Sequence, residues 1–172
     1  MTHTFCSPIG VVRLTEADGF IIRIELTDAA DAMHTSPTPL LHEATLQILS
    51  FLEGKRQQLD FPIRMVGTPF QQRVWHALQQ IPYGTTRTYG EIAAAIDNPR
   101  ASRAVGMACN KNPLPFIVPC HRVVGAHGTL TGFAYGTDTK RWLLELEREV
   151  FLNQSYRYVA DYVRHRVTAP SR

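Results

Sequence analysis

Cysteine is scarce in this chain: three in 172 residues, at positions 6, 109 and 120, with no metal-type spacing among them. So few thiols, and an odd number, exclude a disulfide scaffold and point to free cysteines in a reducing compartment, with the cytoplasm as the expected location. Long hydrophobic runs are missing as well. Stretches such as "FIIRIEL" fall far short of the roughly 18 residues that a membrane span requires. "MTHTFCSPIG" shows no basic start followed by an apolar core, so no secretory leader is expected. The chain also lacks a glycine-rich strand–turn–helix for a nucleotide cofactor, a repeat period and any low-complexity tract. What remains is a globular composition, 44% hydrophobic, long enough for one ordinary domain or two small ones.

The net charge of +3 is unevenly spread. Residues 1–66 hold five Lys/Arg against eight Asp/Glu, residues 67–148 nine against five, and residues 149–172 four against two. The later two-thirds is therefore basic. A polyanion partner would select that pattern, and chance variation of a solvated surface also produces it.

"GVVRLTEADGFIIRIELT" reads as two strands joined at Asp18-Gly19, and "DAADAMHTSPTP" as a loop. In "LLHEATLQILSFLEG" the residues Leu41, Ala44, Ile48, Leu49 and Leu52 recur at helical spacing, with Gly54 as the stop. "LDFPIRMV" is expected to form an edge strand limited by Pro62. Residues 1–66 thus read as a small strand–helix–strand scaffold. Next, "TPFQQRVWHALQQIPYG" opens with Thr68 as N-cap, Pro69 at the first helical position and Gln71 completing a capping box. "TYGEIAAAI" repeats the device with Thr88 and Glu91, and "NPRASRAVGMACNKNP" repeats it in part with Asn98 as cap. Two short capped helices so close together suggest a helix-turn-helix.

The third of these helices is expected to carry Arg100 and Arg103 on one face, among Ala101, Ser102, Ala104, Gly106 and Ala108. Small side chains let a backbone approach a bulky object, and two arginines make that object anionic. Close helix packing with solvated arginines is the plainer alternative.

The sharpest feature is "NPLPFIVPCHRVVG". A free thiol is only a few per cent thiolate at neutral pH, so a working Cys120 needs a base. His121 adjoins it, but neighbours on a regular strand point to opposite faces, so the two cooperate only in irregular backbone or through a water. Three prolines in "NPLPFIVP" make such irregularity the expectation. Arg122 either fixes the turn or holds a phosphate.

That segment, followed by "GTLTGFAYGTDTKRWLLELE" and preceded by "GTPFQQRVWHALQQIPYGTTRTYGEIAAAI" and "ASRAVG", resembles the O6-alkylguanine-DNA alkyltransferases across about residues 67–148. "SPIG" and "FLEG" resemble the variable first domain of that family. The resemblance implies an α+β protein. A small ribonuclease H-like sheet-and-helix domain (1–66) would precede a helical, winged helix-turn-helix-like DNA-binding and alkyl-acceptor domain (67–150). A C-terminal extension (151–172) would be partly helical.

It further implies direct reversal of DNA damage. Double-stranded DNA carrying O6-alkylguanine, or O4-alkylthymine, would be bound from the minor groove and the base flipped out. Its alkyl group would pass irreversibly to Cys120, once per molecule. On this resemblance His121 acts through a water on the thiol, Glu147 orients the imidazole, and Asn112 holds the active-site turn. Tyr89 neutralises charge on the departing guanine and crowds the phosphate. Arg103 fills the gap left by the flipped nucleotide, with Arg100, Ala101, Ser102 and Gly106 also on the DNA face. Val123, Phe133, Ala134 and Tyr135 form the substrate pocket. No cofactor, metal, membrane contact or second subunit is implied.

Departures from the family pattern are local. Tyr135-Gly136 replaces a Gly-Gly common in the substrate loop, which is expected to narrow the pocket; Phe133 replaces a tyrosine, and Cys109 reads as a packing residue. In residues 149–172, Tyr156, Val159, Ala160 and Val163 fall at helical spacing with Arg157, Arg164 and Arg166 between them. That segment is either a packed extra helix or a phosphate contact. Among rivals, a damage sensor of the same fold would lack Cys120. A regulator would need an effector surface, and a cysteine hydrolase would need an oxyanion hole.

Overall fold

The computed structural model describes residues 1–28 and 36–167, with side chains up to Ser155. It is a mixed α/β protein. Three strands, β1 (Thr2–Ser7), β2 (Gly10–Ala17) and β3 (Phe20–Thr27), form an antiparallel meander in the order β1-β2-β3. The turn between β2 and β3 places Asp18 at φ 50 and Gly19 at φ 76, the left-handed pair that matches the twist of a tight hairpin. Sequence reading missed β1. Its Thr4 and Phe5 are buried while Thr2 and Cys6 are exposed, so its alternation is broken and short.

Helix α1 (Pro39–Leu52) lies on this sheet, capped by Thr38 and ended where Gly54 turns left-handed at φ 70. The expected strand in "LDFPIRMV" does not form. Ile63 makes one isolated bridge to Ile21, through Ile21 N–H to Pro62 O (2.9 Å) and Arg64 N–H to Ile21 O (3.1 Å). Pro62 has no N–H with which to extend the ladder.

Helices α2 (Pro69–Gln79) and α3 (Tyr89–Ala95) begin with complete capping boxes, Thr68 with Gln71 and Thr88 with Glu91. Helix α4 (Ser102–Asn110) begins later than the sequence suggested. Asn98 and Pro99 stay in the preceding turn, and Ala101 caps the helix without a side-chain bond. Two expectations fall with this. Arg100 is off the helix, and Ala108 faces the core with Val105 and Cys109 rather than a partner. The indole N–H of the buried Trp75 donates to Ala108 O at 2.9 Å, which ties α2 to the end of α4.

Two short strands, β4 (Arg87–Thr88) and β5 (Val123–Val124), pair in parallel. A single long helix, α5 (Thr137–Val167), follows and runs without a break past residue 150. The side chains of Tyr156, Val159, Ala160 and Val163, and of Arg157, Arg164 and Arg166, lie outside the described residues. One buried cluster runs from Phe5, Leu14 and Ile24 of the sheet through Trp75 and Val105 to Leu143 of α5, so sheet and helices share a core. No helix among the described residues is long and apolar enough to cross a membrane.

Candidate active site

Irregular backbone carries the thiol, as the prolines required. Residues 112–119 form no helix or strand, and Phe116 adopts a left-handed φ of 73 while its side chain is buried. The segment then closes into one 3₁₀ turn, Cys120–Arg122. Asn112 organises it. Its Nδ2 donates to Val118 O at 2.7 Å and to Cys120 Sγ at 3.1 Å, and its Oδ1 accepts from Leu114 N–H at 3.0 Å. One side chain therefore fixes the loop and points a donor at the sulfur.

Because Cys120, His121 and Arg122 sit in a 3₁₀ turn, their side chains fan out, and the latter two meet Glu147 of α5. His121 Nε2 is 2.6 Å from Glu147 Oε1, and both side chains are about 1% exposed. Arg122 donates from Nε to both Glu147 oxygens (3.1 and 2.9 Å) and from its second guanidinium arm at 2.9 Å. The remaining arm reaches Ile81 O at 2.7 Å. Arg122 thus fixes the turn and has no reach left for a phosphate. Gly84 N–H also donates to Glu147, at 2.9 Å. Burial pushes the Glu147 carboxyl up, but the bonds and charges of His121 and Arg122 outweigh it and hold the group at about 2.

With Nε2 committed to the carboxylate, His121 Nδ1 is buried and has no hydrogen-bond partner among the described residues. Burial lowers the imidazole against the pull of Glu147, and Nδ1 is the nitrogen left to accept a proton. Burial likewise raises the Cys120 thiol, with Asn112 and Lys140 opposing it. Desolvation thus disfavours both charged forms, thiolate and imidazolium, beside the carboxylate.

Lys140 was not anticipated. Its side chain is wholly buried, with Nζ 3.1 Å from Thr131 O and 5.7 Å above the Tyr89 ring. Burial lowers its pKa, while the two thiols, Cys120 and Cys109, pull the other way. Lys140, Leu143 and Glu147 fall on one buried stripe of α5, two helical turns from end to end. The spacing Lys140 to Glu147 was the available signal, and it went unread because a lysine in a buried stripe looks like a snorkelling surface residue.

The remaining candidates sort into two places. Tyr89, Ser102, Arg103 and Gly106, joined by Asn110 and Thr131, line a depression of about 350 Å³ between α4 and the loop at residues 129–136. Asn110 was missed, being the last residue of the helix and exposed. The Tyr89 hydroxyl donates to Thr131 O at 3.0 Å, and burial raises its pKa. Arg100 lies in the turn before α4, Ala101 caps the helix and Arg103 is in its first turn, both arginines exposed. On the loop, Phe133 and Tyr135 pack edge to face at 5.7 Å and Ala134 is exposed. Val123 is buried in β5, opposite Arg87. A larger cleft of about 650 Å³, behind Arg122 and lined by Gln57, Gln80 and Phe151, contains neither Cys120 nor His121.

Residues 69–149 match the family "6-O-methylguanine DNA methyltransferase, DNA binding domain". The constitutive methylated-DNA–protein-cysteine methyltransferase of Bacillus subtilis is 43% identical over 151 residues, covering 83% of this chain and 92% of its own. The enzyme of the same name from Mycobacterium tuberculosis H37Rv is 45% identical over 150 residues, covering 85% and 91%. The crystal structure of M. tuberculosis OGT in complex with DNA superposes with a TM-score of 0.78 at 43% identity, covering 87% of this chain and 93% of that one.

Proposed function

The chain belongs to the methylated-DNA–protein-cysteine methyltransferase family, and from that premise we propose that it repairs O6-alkylguanine in duplex DNA by moving the alkyl group onto Cys120. The observation that carries the reading is the Cys120 thiol held by Asn112 beside a histidine whose second nitrogen is locked to Glu147.

The chemistry follows from that geometry. His121 Nδ1 takes the thiol proton by way of a water. The sulfur attacks the alkyl carbon, an S–C bond forms as the C–O6 bond breaks, and the electron pair stays with the guanine oxygen. Glu147 stabilises the imidazolium so formed. The Tyr89 hydroxyl, which keeps its proton, exchanges Thr131 O for the leaving base and offsets the charge developing there. Lys140, buried over the Tyr89 ring, supplies positive potential that the thiol also feels. The thioether has no base or nucleophile poised to cleave it, so each molecule acts once.

The rest of the molecule serves delivery. We read β1–β3 with α1 as the ribonuclease H-like scaffold and α2–α4 with β4–β5 as the winged helix-turn-helix-like DNA-binding unit. Helix α4 approaches the minor groove. A Cβ built at Gly106 would meet Tyr89 at an ordinary 3.7 Å, so packing within the protein does not demand glycine there. What glycine leaves is bare helix surface in the depression, room for a DNA backbone. Extruding the nucleotide costs a few kcal/mol, and Arg103 entering the stack offsets part of that.

The test is the intact mass of the protein after incubation with excess duplex containing one O6-methylguanine. Wild type gains a single methyl group and no more, and Cys120→Ala gains none. Lesion binding without mass gain would make the protein a damage sensor instead.

A further inference from the structure

The outer edge of β3 is where sheet and site meet. Among the described residues β3 forms a ladder only with β2, so its other edge turns N–H and C=O groups away from the sheet. Ile21 uses both groups on residues 62–64. Ile24 uses its own on the site: its N–H donates to Pro113 O at 2.8 Å, next to the Asn112 that holds Cys120, and its C=O accepts from the Tyr135 hydroxyl at 3.3 Å. Burial, with the nearby Cys120 and Glu25, raises the phenol to about 12, so it remains a donor across the pH range of a folded protein.

The loop carrying Tyr135 is held at its other end by Tyr89 and Lys140, both on Thr131 O. Those two side chains belong to the helical half. Tyr135 alone among the described side chains of this loop reaches the sheet by a hydrogen bond.

We propose that Tyr135 is a positioning residue that fastens the substrate loop to the edge of β3, so that the N-terminal sheet sets how far the loop stands from Cys120 and which alkyl groups the site admits. The half concerning alkyl size rests on the alkyl-transfer reading above. The sheet is then part of the specificity apparatus, and Ile24 couples the acceptor turn to the loop through the two sides of one residue.

Two variants separate the tether from simple bulk. Tyr135→Phe keeps the ring and its packing on Phe133 but loses the hydroxyl; Tyr135→Gly removes both. Rates of transfer from duplexes carrying O6-benzylguanine and O6-methylguanine are measured for each protein, and amide exchange over residues 24–26 and 129–136 is followed in parallel. Tyr135→Phe is expected to raise the benzyl-to-methyl rate ratio and to speed loop exchange, each by about three- to tenfold, the factor of one neutral hydrogen bond. A ratio that stays at the wild-type value in Tyr135→Phe but climbs in Tyr135→Gly would make ring bulk the whole cause and overturn the tether. Unchanged exchange in Tyr135→Phe would overturn it equally. A wild type that gains no methyl overturns the alkyl-transfer reading, and size selection with it, while exchange still reports on the tether by itself.

Discussion

His121 and Glu147, 26 residues apart in sequence, meet through a 2.6 Å contact in which neither side chain has measurable access to solvent. Arg122 shares the same carboxylate, so one acid serves both the orientation of the imidazole and the closure of the turn. Glu147→Gln keeps the shape and removes the charge. It should slow methyl transfer severely and destabilise the fold by about 3–5 kcal/mol, because Arg122 is left buried without its counter-ion. Urea denaturation beside single-turnover transfer measures both; a fold as stable as wild type would show that Arg122 finds another acceptor.

The same cluster sets the acid limit. Glu147 is held at about 2 in the folded state, below its unfolded value of 4.5, so its contribution is present above pH 4.5 and is lost as pH falls toward 2. His121 acts in the same direction, since its folded pKa lies below the unfolded 6.5 and acidification must charge a buried ring. Stability should therefore fall from about pH 6.5 downward, and Glu147→Gln should flatten the lower part of the curve. Equal slopes for the two proteins between pH 4.5 and 2 would refute the assignment.

The thiols should differ in reactivity as their surroundings do. Cys6 is exposed, while Cys120 and Cys109 are both buried, 4% and 5% exposed, and both raised by desolvation, which the Asn112 donor on the sulfur opposes at Cys120. A maleimide added to native protein without DNA is expected to modify Cys6 first, Cys120 slowly and Cys109 not at all. Peptide mapping reads the order, and labelling of Cys109 ahead of Cys120 would show that α4 opens.

Arg103 stands exposed at the first turn of α4. Arg103→Ala should leave thermal stability within about 0.5 kcal/mol yet slow transfer from duplex DNA on the order of tenfold or more. The loss should shrink when the lesion is mispaired or single-stranded, because extrusion is then cheaper. An equal loss on every substrate would make Arg103 a phosphate contact.

Trp75 holds α4 in place from α2 through its bond to Ala108 O. Trp75→Phe removes that bond and leaves Ala108 O with the 3.2 Å bond from Lys111 N–H, at a cost of about 0.5–1.5 kcal/mol in chemical denaturation. Gly67→Ala attacks the same contact from the other side, since a Cβ there would fall 2.5 Å from the indole ring.

Much of the site was legible because its determinants are local. Thr68 with Gln71 and Thr88 with Glu91 are caps whose bonds span three residues, and the prolines around Cys120 forbid regular structure wherever the segment ends up. The hairpin at Asp18-Gly19 is local in the same sense. The failures share a different cause. "LDFPIRMV" has the composition of a strand, but only the side occupied by Pro62 and the position of β3 decide that a single bridge forms. Asn98 could cap a helix at Pro99, yet the chain turns there and α4 starts at Ser102, which takes Arg100 off the helix.

The sequence by itself determined the family and the Cys120–His121 pair that we propose as acceptor and base, since these are residue types at fixed short spacings. Only the tertiary structure decided that Arg122 is spent on Glu147, that Lys140 lies buried against Thr131, and that Tyr135 is tied to the edge of β3. Each of those is a contact between segments 9 to 111 residues apart. Which polar atoms meet at such distances is set by how the sheet and α5 pack on one core, and no local pattern encodes it.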